Sequence, residues 1–192
     1  MNKIYAFNTN AWEQDFDYVY SPNCGEFKKF EQTNDCIKNN KGNYWFGYDY
    51  ISILEKTMRA SGTKISTLCS FESFGAPLLV FTNEVTTDEN GNYRFGVHYE
   101  VVAYEKGCNV WLVEPKIDGD KKIKSTLLSK LEFPLENDEK IEIQVVIDNK
   151  TLKINMNGHL LDVTIPEFPE SFRVGVTACE GLNRFYNLKI ED

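Results

Sequence analysis

The densest run of chemically competent side chains in the sequence is HYEVVAYE, residues 98–105. His98, Glu100, Tyr104 and Glu105 are all residue types that serve as general acids or bases. Strand side chains alternate, so His98, Glu100, Val102 and Tyr104 share one face, and Tyr99, Val101, Ala103 and Glu105 share the other. Cleavage of a glycosidic bond would need two carboxyl groups about 5–5.5 Å apart for retention or about 6.5–9.5 Å apart for inversion. Glu100 and Glu105 point to opposite faces of a regular strand and would meet only across a bulge; otherwise Glu100 is a groove glutamate and Glu105 ends a hairpin. Abstraction of a proton α to a uronate carboxyl would instead need a base, an acid and a cation, the types found at His98, Tyr104 and Arg94.

The hairpin around this strand sets what stands beside it. The turn EKGC leads into NVWLVEP, and two turn residues, Lys106 and Gly107, suffice, with glycine supplying a positive φ. That register pairs Glu105 with Cys108, Tyr104 with Asn109, Val102 with Trp111 and Glu100 with Val113. One surface then carries Arg94, His98, Glu100, Tyr104, Asn109 and Trp111; Phe95, Val97, Tyr99, Val101, Ala103, Val110 and Leu112 fill the other. The first set has the composition of a sugar site: an aromatic plate, amide and carboxylate groups for hydroxyls, and a cation for a uronate. The plainer readings are a second core layer for Trp111, a structural hydrogen-bonded His98 and an Arg94–Glu100 ion pair.

The remaining pattern is of strands and turns. TKISTLCSF alternates, APLLVFTNEV suits a strand covered on both faces, and DENGN is a turn before YRFGVHYEVVAYE, read as one strand. KIEIQVVID puts Ile141, Ile143, Val145 and Ile147 on one face. LKINM continues with Leu152, Ile154 and Met156, and Asn157-Gly158 is a hairpin turn. HLLDVTI, FRVGVTAC and RFYNLKI complete the series. In the first 60 residues YAFNTNAW reads as an edge strand, and DCIKNN and DYISILEKTMRA as further strands. Trp12, Trp45 and the aromatics from Tyr44 to Tyr50 either rim the groove or seal the sandwich edge.

Composition bounds the rest. The chain has 192 residues, 42% of them hydrophobic, which suits one domain spanning 1–192. With 21 Lys and Arg against 29 Asp and Glu the formal charge is −8, which argues against nucleic acid and anionic membrane as partners. No apolar run is long enough to cross a membrane as a helix. The first residues lack the apolar core and cleavage site of a secretory signal, so a cytoplasmic location is expected if Met1 is the native start. Cys24, Cys36, Cys69, Cys108 and Cys179 have no metal-ligand spacing and read mostly as buried thiols. No cofactor motif and no metal site is expected: Asp88, Glu89 and Asn90 read as a polar hairpin tip, and His159 as solvent-facing.

The segment from IEIQVVIDNKTLKINMNGHLLDVTIP to FRVGVTACEGLNRFYNLKI, about a quarter of the chain, resembles the C-terminal half of concanavalin A-like lectin and glucanase jelly rolls. SFESFGAPLLVF followed by YRFGVHYEVVAYEKGCNVW is similar to the YesU-like branch of that superfamily. The resemblance implies an all-β, two-sheet antiparallel jelly-roll sandwich whose concave groove binds or cleaves polysaccharide in relatives. In the retaining glucanases the catalytic strand reads Glu, apolar, Asp, apolar, an optional residue, Glu; here Glu100 and Glu105 stand at its ends and Val102 at the middle Asp. Relatives hold a structural calcium through an Asp before the final NLxI, where this chain has Tyr186. The lyase strands with Gln-Ile-His and Tyr-Phe-Lys are absent. The expectation is therefore recognition of an oligosaccharide or uronate-containing glycan through Arg94, His98, Glu100, Tyr104, Asn109 and Trp111. The alternatives are a glycoside hydrolase led by Glu100, with Glu105 as partner, and a polysaccharide lyase led by His98 and Tyr104.

Overall fold

The computed structural model describes residues 2–21, 27–39, 51–115 and 123–192; Cys24, Trp45 and the aromatics from Tyr44 to Tyr50 lie outside them. Among the described residues the strands form a ten-stranded and an eight-stranded sheet. The larger sheet runs, neighbour by neighbour, Ile123–Glu132, Gly107–Pro115, His98–Tyr104, Ala76–Thr82, Ser171–Cys179, Ile51–Glu55, Phe16–Tyr20, Tyr93–Phe95 and Val85–Thr87, with Arg59–Ala60 paired to Ser171–Cys179. The smaller runs His159–Thr164, Thr151–Met156, Ile141–Asp148, Lys64–Glu72, Leu182–Glu191, Ile37–Lys38 and Glu31–Gln32. Asn2–Ala6 pairs with the far half of Leu182–Glu191. Pairing is antiparallel throughout the described residues except between Tyr93–Phe95 and Phe16–Tyr20.

The apolar faces meet between the sheets. Ile141, Ile143, Val145 and Ile147 are fully buried, as their alternation requires, and pack in one cluster with Val101, Val110, Leu79, Phe81 and Val176 of the other sheet. Asn157 (φ 49°) and Gly158 (φ 89°) both take the left-handed backbone that a two-residue hairpin turn needs. DYISILEKTMRA supplies the strand Ile51–Glu55, and YAFNTNAW gives the strand Asn2–Ala6 before a short 3-10 helix, Asn10–Asp15. That helix places Trp12 in the core, where its Nε1 donates to Gln32 Oε1 at 3.0 Å.

Two expectations need correction. YRFGVHYEVVAYE is two strands, because the chain breaks at Gly96–Val97. Tyr93–Phe95 crosses to the far side of the sheet, and Phe95 joins a cluster on its outer face with Leu54, Leu78, Val80 and Val102. This crossing adds cover to Ala76–Thr82, all seven of whose residues are buried: the core covers one face, and on the other Val80 joins the cluster that holds Phe95 and Val85. The second correction is the 98–115 hairpin. Its turn residues are Glu105 and Lys106, and Gly107, at φ 121°, already pairs with Tyr104. Glycine is needed there because a Cβ would lie 2.2 Å from the Leu131 carbonyl oxygen of the next strand. The register therefore differs by two residues, pairing Glu100 with Trp111 and Val102 with Asn109. A shift of two preserves which side chains share a face.

A buried charge network joins the sheets at one end. Glu55, fully buried, accepts from Arg59 Nε (3.0 Å) and Nη2 (2.7 Å), from the Tyr5 hydroxyl (2.6 Å) and from Lys3 Nζ (3.0 Å). Arg59 reaches on to Asp192. Removing the carboxylate leaves a buried guanidinium short of counter-charge, so Glu55→Ala is expected to lower unfolding free energy in urea by about 3–5 kcal/mol. Burial, reinforced by the bond to Glu55, pushes the Tyr5 phenol up to about 12. A raised phenol stabilises the fold fully below its unfolded value, and that contribution is lost as pH rises through the folded value. Stability should fall between about pH 10 and pH 12, and Tyr5→Phe should make that fall shallower in urea titrations across the range.

Candidate functional site

Alternation along three neighbouring strands builds this part of the outer face of the larger sheet. His98, Glu100, Val102 and Tyr104 point outward, as do Asn109, Trp111 and Val113 on the next strand and Ala76, Leu78 and Val80 on the other side. All of these except His98 and Val80 line an open groove of about 450 Å³. Ala76, Leu78, Val102 and Val113 make its apolar bed; Tyr104 and Trp111 present aromatic surface; Glu100 and Asn109 supply polar groups. The pairing of Gly107–Pro115 with Ile123–Glu132 shifts register between Val110 and Trp111, leaving Leu128 as the extra residue beside the tryptophan. Bulges of this kind re-aim side chains next to sites.

Asn109 Oδ1 is buried and has no hydrogen-bond partner among the described residues. An orphaned acceptor of this kind costs about 1–3 kcal/mol until something donates to it. The Glu100 carboxyl is also nearly enclosed, its side chain 10% exposed. Its Oε1 lies 3.2 Å from His98 Nε2, while His98 Nδ1 lies 2.9 Å from the Gly96 carbonyl oxygen. A carbonyl oxygen only accepts, so Nδ1 carries a hydrogen; the Nε2–Oε1 contact then requires one further proton, held on the ring or on the carboxyl. His98 and Glu100 thus form a proton-sharing pair, of which Glu100 lines the groove.

The expected site residues separate into three groups. Glu100, Tyr104, Asn109 and Trp111 come together in the groove. His98 is on the same face but sealed, fully buried beneath Phe95 with ring centroids 4.5 Å apart. Arg94 is elsewhere: its Nε donates to Asp88 (3.1 Å), its Nη1 to the Ser21 carbonyl (2.8 Å), and its guanidinium lies 4.5 Å from the Phe27 ring. Asp88 caps its own loop, accepting from the backbone N–H of Asn90 and Asn92, which accounts for its lowered pKa. Glu105 sits in the hairpin turn, five residues from Glu100 along a strand in unbroken register with both neighbours. At roughly 3.3 Å per residue the two are about 16 Å apart along the chain, so the bulge that would pair their carboxyls is absent there. The sequence reading missed Glu180, which lines the groove from the turn after Ser171–Cys179. Its only sequence signal was the dipeptide Glu-Gly between two alternating runs. Among the described residues no group of three or more His, Cys, Asp or Glu could hold a metal ion.

No protein-family model matches the chain, and no curated protein matches it. Solved structures do. A protein with a galectin-like fold from Bacillus subtilis superposes with TM-score 0.67 at 8% identity, covering 100% of this chain and 98% of that one. The carbohydrate binding module CBM66, also from Bacillus subtilis, gives TM-score 0.62 at 12% identity over 91% and 99% of the two chains. The exoplasmic/lumenal domain of VIP36, in a form bound to Ca²⁺ and Man3GlcNAc, gives 0.62 at 11% identity over 97% and 87%. The fold is the concanavalin A-like jelly roll. Within this jelly roll the groove lies on the larger sheet, and the position of the calcium-binding Asp seen in the sequence resemblance is held by Tyr186, whose hydroxyl meets Ser70 Oγ at 3.1 Å.

The thiols around the groove are chemically quiet. Burial raises Cys108 to about 12, and burial together with the charges of Glu100 and Glu180 holds Cys179 well above its ordinary range. Cys36 and Cys69 are raised by burial as well. All four are free thiols. In a Cys24→Ser variant a thiol reagent near pH 8 should titrate less than one thiol per folded chain and four after unfolding.

Proposed function

We propose that the groove on the larger sheet of this jelly roll recognises a carbohydrate, an oligosaccharide laid across Trp111 and Tyr104. The observation that carries the reading is the meeting of two aromatic side chains, the Glu100 carboxyl and the orphaned Asn109 amide oxygen in one open groove. Sugar rings offer an apolar face and a rim of hydroxyls, and the groove offers aromatic surface flanked by the Glu100 carboxyl and an Asn109 acceptor with no partner among the described residues. The structural likeness to a carbohydrate binding module and to a domain bound to Man3GlcNAc supports the reading. A uronate-containing ligand loses the support that Arg94 would have given it, since that guanidinium is engaged by Asp88 and the Ser21 carbonyl.

Hydrolysis led by Glu100 is the second reading, favoured by the proton that the His98–Glu100 contact must hold, since bond cleavage needs a protonated acid. A lyase led by His98 and Tyr104 has less support, because the imidazole is sealed beneath Phe95 and both its ring nitrogens are engaged.

Titration calorimetry against a panel of neutral oligosaccharides should give saturable heat, and Trp111→Ala should weaken binding by about tenfold or more, roughly 1.4 kcal/mol. Heat of dilution alone across the panel would overturn the carbohydrate reading. Reducing-sugar release from a bound oligosaccharide that vanishes in Glu100→Gln, with binding retained, would move the assignment from recognition to hydrolysis.

A further inference from the structure

We propose that Glu180 is a second ligand-contacting carboxylate and that, with Glu100, it makes the groove selective for a sugar carrying a free amine. This rests on the carbohydrate reading above and narrows its ligand class.

The turn holding Glu180 is built against the preference of its own residue. Glu180 has φ 52°, in the left-handed region that a side chain with a Cβ disfavours, and Gly181 follows at φ 44°. The facing turn carries Ser73 (φ 54°) and Phe74 (φ 65°) in the same unusual conformation. A Cβ on Gly181 would fall 2.3 Å from the Ser73 carbonyl oxygen, so the two turns are in close contact. Two buried amides hold the arrangement. Asn183 Nδ2 donates to the carbonyls of Glu180 (2.7 Å) and Cys179 (3.1 Å), its backbone N–H donates to Asn39 Oδ1 (2.7 Å), and Asn39 Nδ2 donates to the Gly181 carbonyl (3.0 Å). Glycine or asparagine would occupy position 180 at little cost. A glutamate held there by its surroundings, with its side chain in the groove and no ion pair among the described residues, marks a position kept for its carboxylate.

The opposing acceptor is Glu100. Its side chain is nine-tenths buried, one oxygen is committed to His98, and the other takes no hydrogen bond from the described residues. The thiol of Cys179 feels the charge of both carboxylates, which fits their facing a common volume. The Glu180 carboxylate, the remaining oxygen of Glu100 and the Asn109 acceptor, beside the aromatic surface of Trp111, match a group with several donors and a positive charge. An ammonium offers three donors and no acceptor, whereas a uronate carboxylate would meet like charge.

The test is calorimetry with four oligomers of equal length, built from glucosamine, N-acetylglucosamine, glucose and galacturonate, at a pH where the amine is protonated. The glucosamine oligomer should bind at least about tenfold more tightly than its N-acetylated counterpart at about 0.05 M salt, and that preference should shrink strongly at about 0.5 M. Glu180→Gln should abolish the preference, lowering affinity for the glucosamine oligomer far more than for its N-acetylated counterpart. Glu180→Gly, which accepts the left-handed backbone without strain, should lose the preference with a Tm no lower than the parent, separating lost recognition from lost folding. If neutral oligomers bind but the amine confers no advantage, or if the advantage survives both substitutions, this inference fails and the carbohydrate reading stands. If no oligomer binds, both fail.

Discussion

The site depends on the hydrogen-bonded ladder that fixes His98–Tyr104 between Ala76–Thr82 and Gly107–Pro115. Its register is continuous with both neighbours from His98 to Val102. Because side chains alternate with a period of two, that single constraint sends Tyr99, Val101 and Ala103 into the core and Glu100, Val102 and Tyr104 to the groove. A slip of one residue would bury the carboxylate among apolar side chains and expose Val101. The apolar inner face opposes such a slip, so the chemistry of the outer face is held in place by the packing of the inner one.

Much of this was legible in the sequence because the relevant signals are periodic and local. Alternation in 141–147, the Asn157-Gly158 turn and the glycine at 107 each follow from backbone geometry, and each marks a real element. The face shared by Glu100, Tyr104, Asn109 and Trp111 survived even an incorrect turn placement, since a two-residue error preserves parity. What the sequence hid was long-range. Nothing local to Arg94 announces that Gly96 breaks the strand and carries the arginine to Asp88 and Ser21, and nothing local to His98 announces Phe95 above it. Glu180 was invisible for the same reason. Its place in the groove is set by Asn39 and Asn183, one of them 144 positions away from the other in the sequence-separated bond that joins them.

Local order and site geometry are thus maintained by different interactions. The sandwich is closed by apolar packing and, at one end, by the Glu55–Arg59 network. The groove rim is shaped by left-handed turns and by the amide-to-carbonyl bonds of the buried Asn39 and Asn183.

The crossing of the Val85–Phe95 hairpin over the outer face has a consequence for capacity. By lying on Leu78, Val80 and His98 it roofs part of the sheet, so the open floor is shorter than the strands beneath it. From Glu100 to Tyr104 a strand advances only about 13 Å. The length of chain that can lie in this trough is therefore dictated by a surface loop, and not by the number or extent of the strands that make the sandwich.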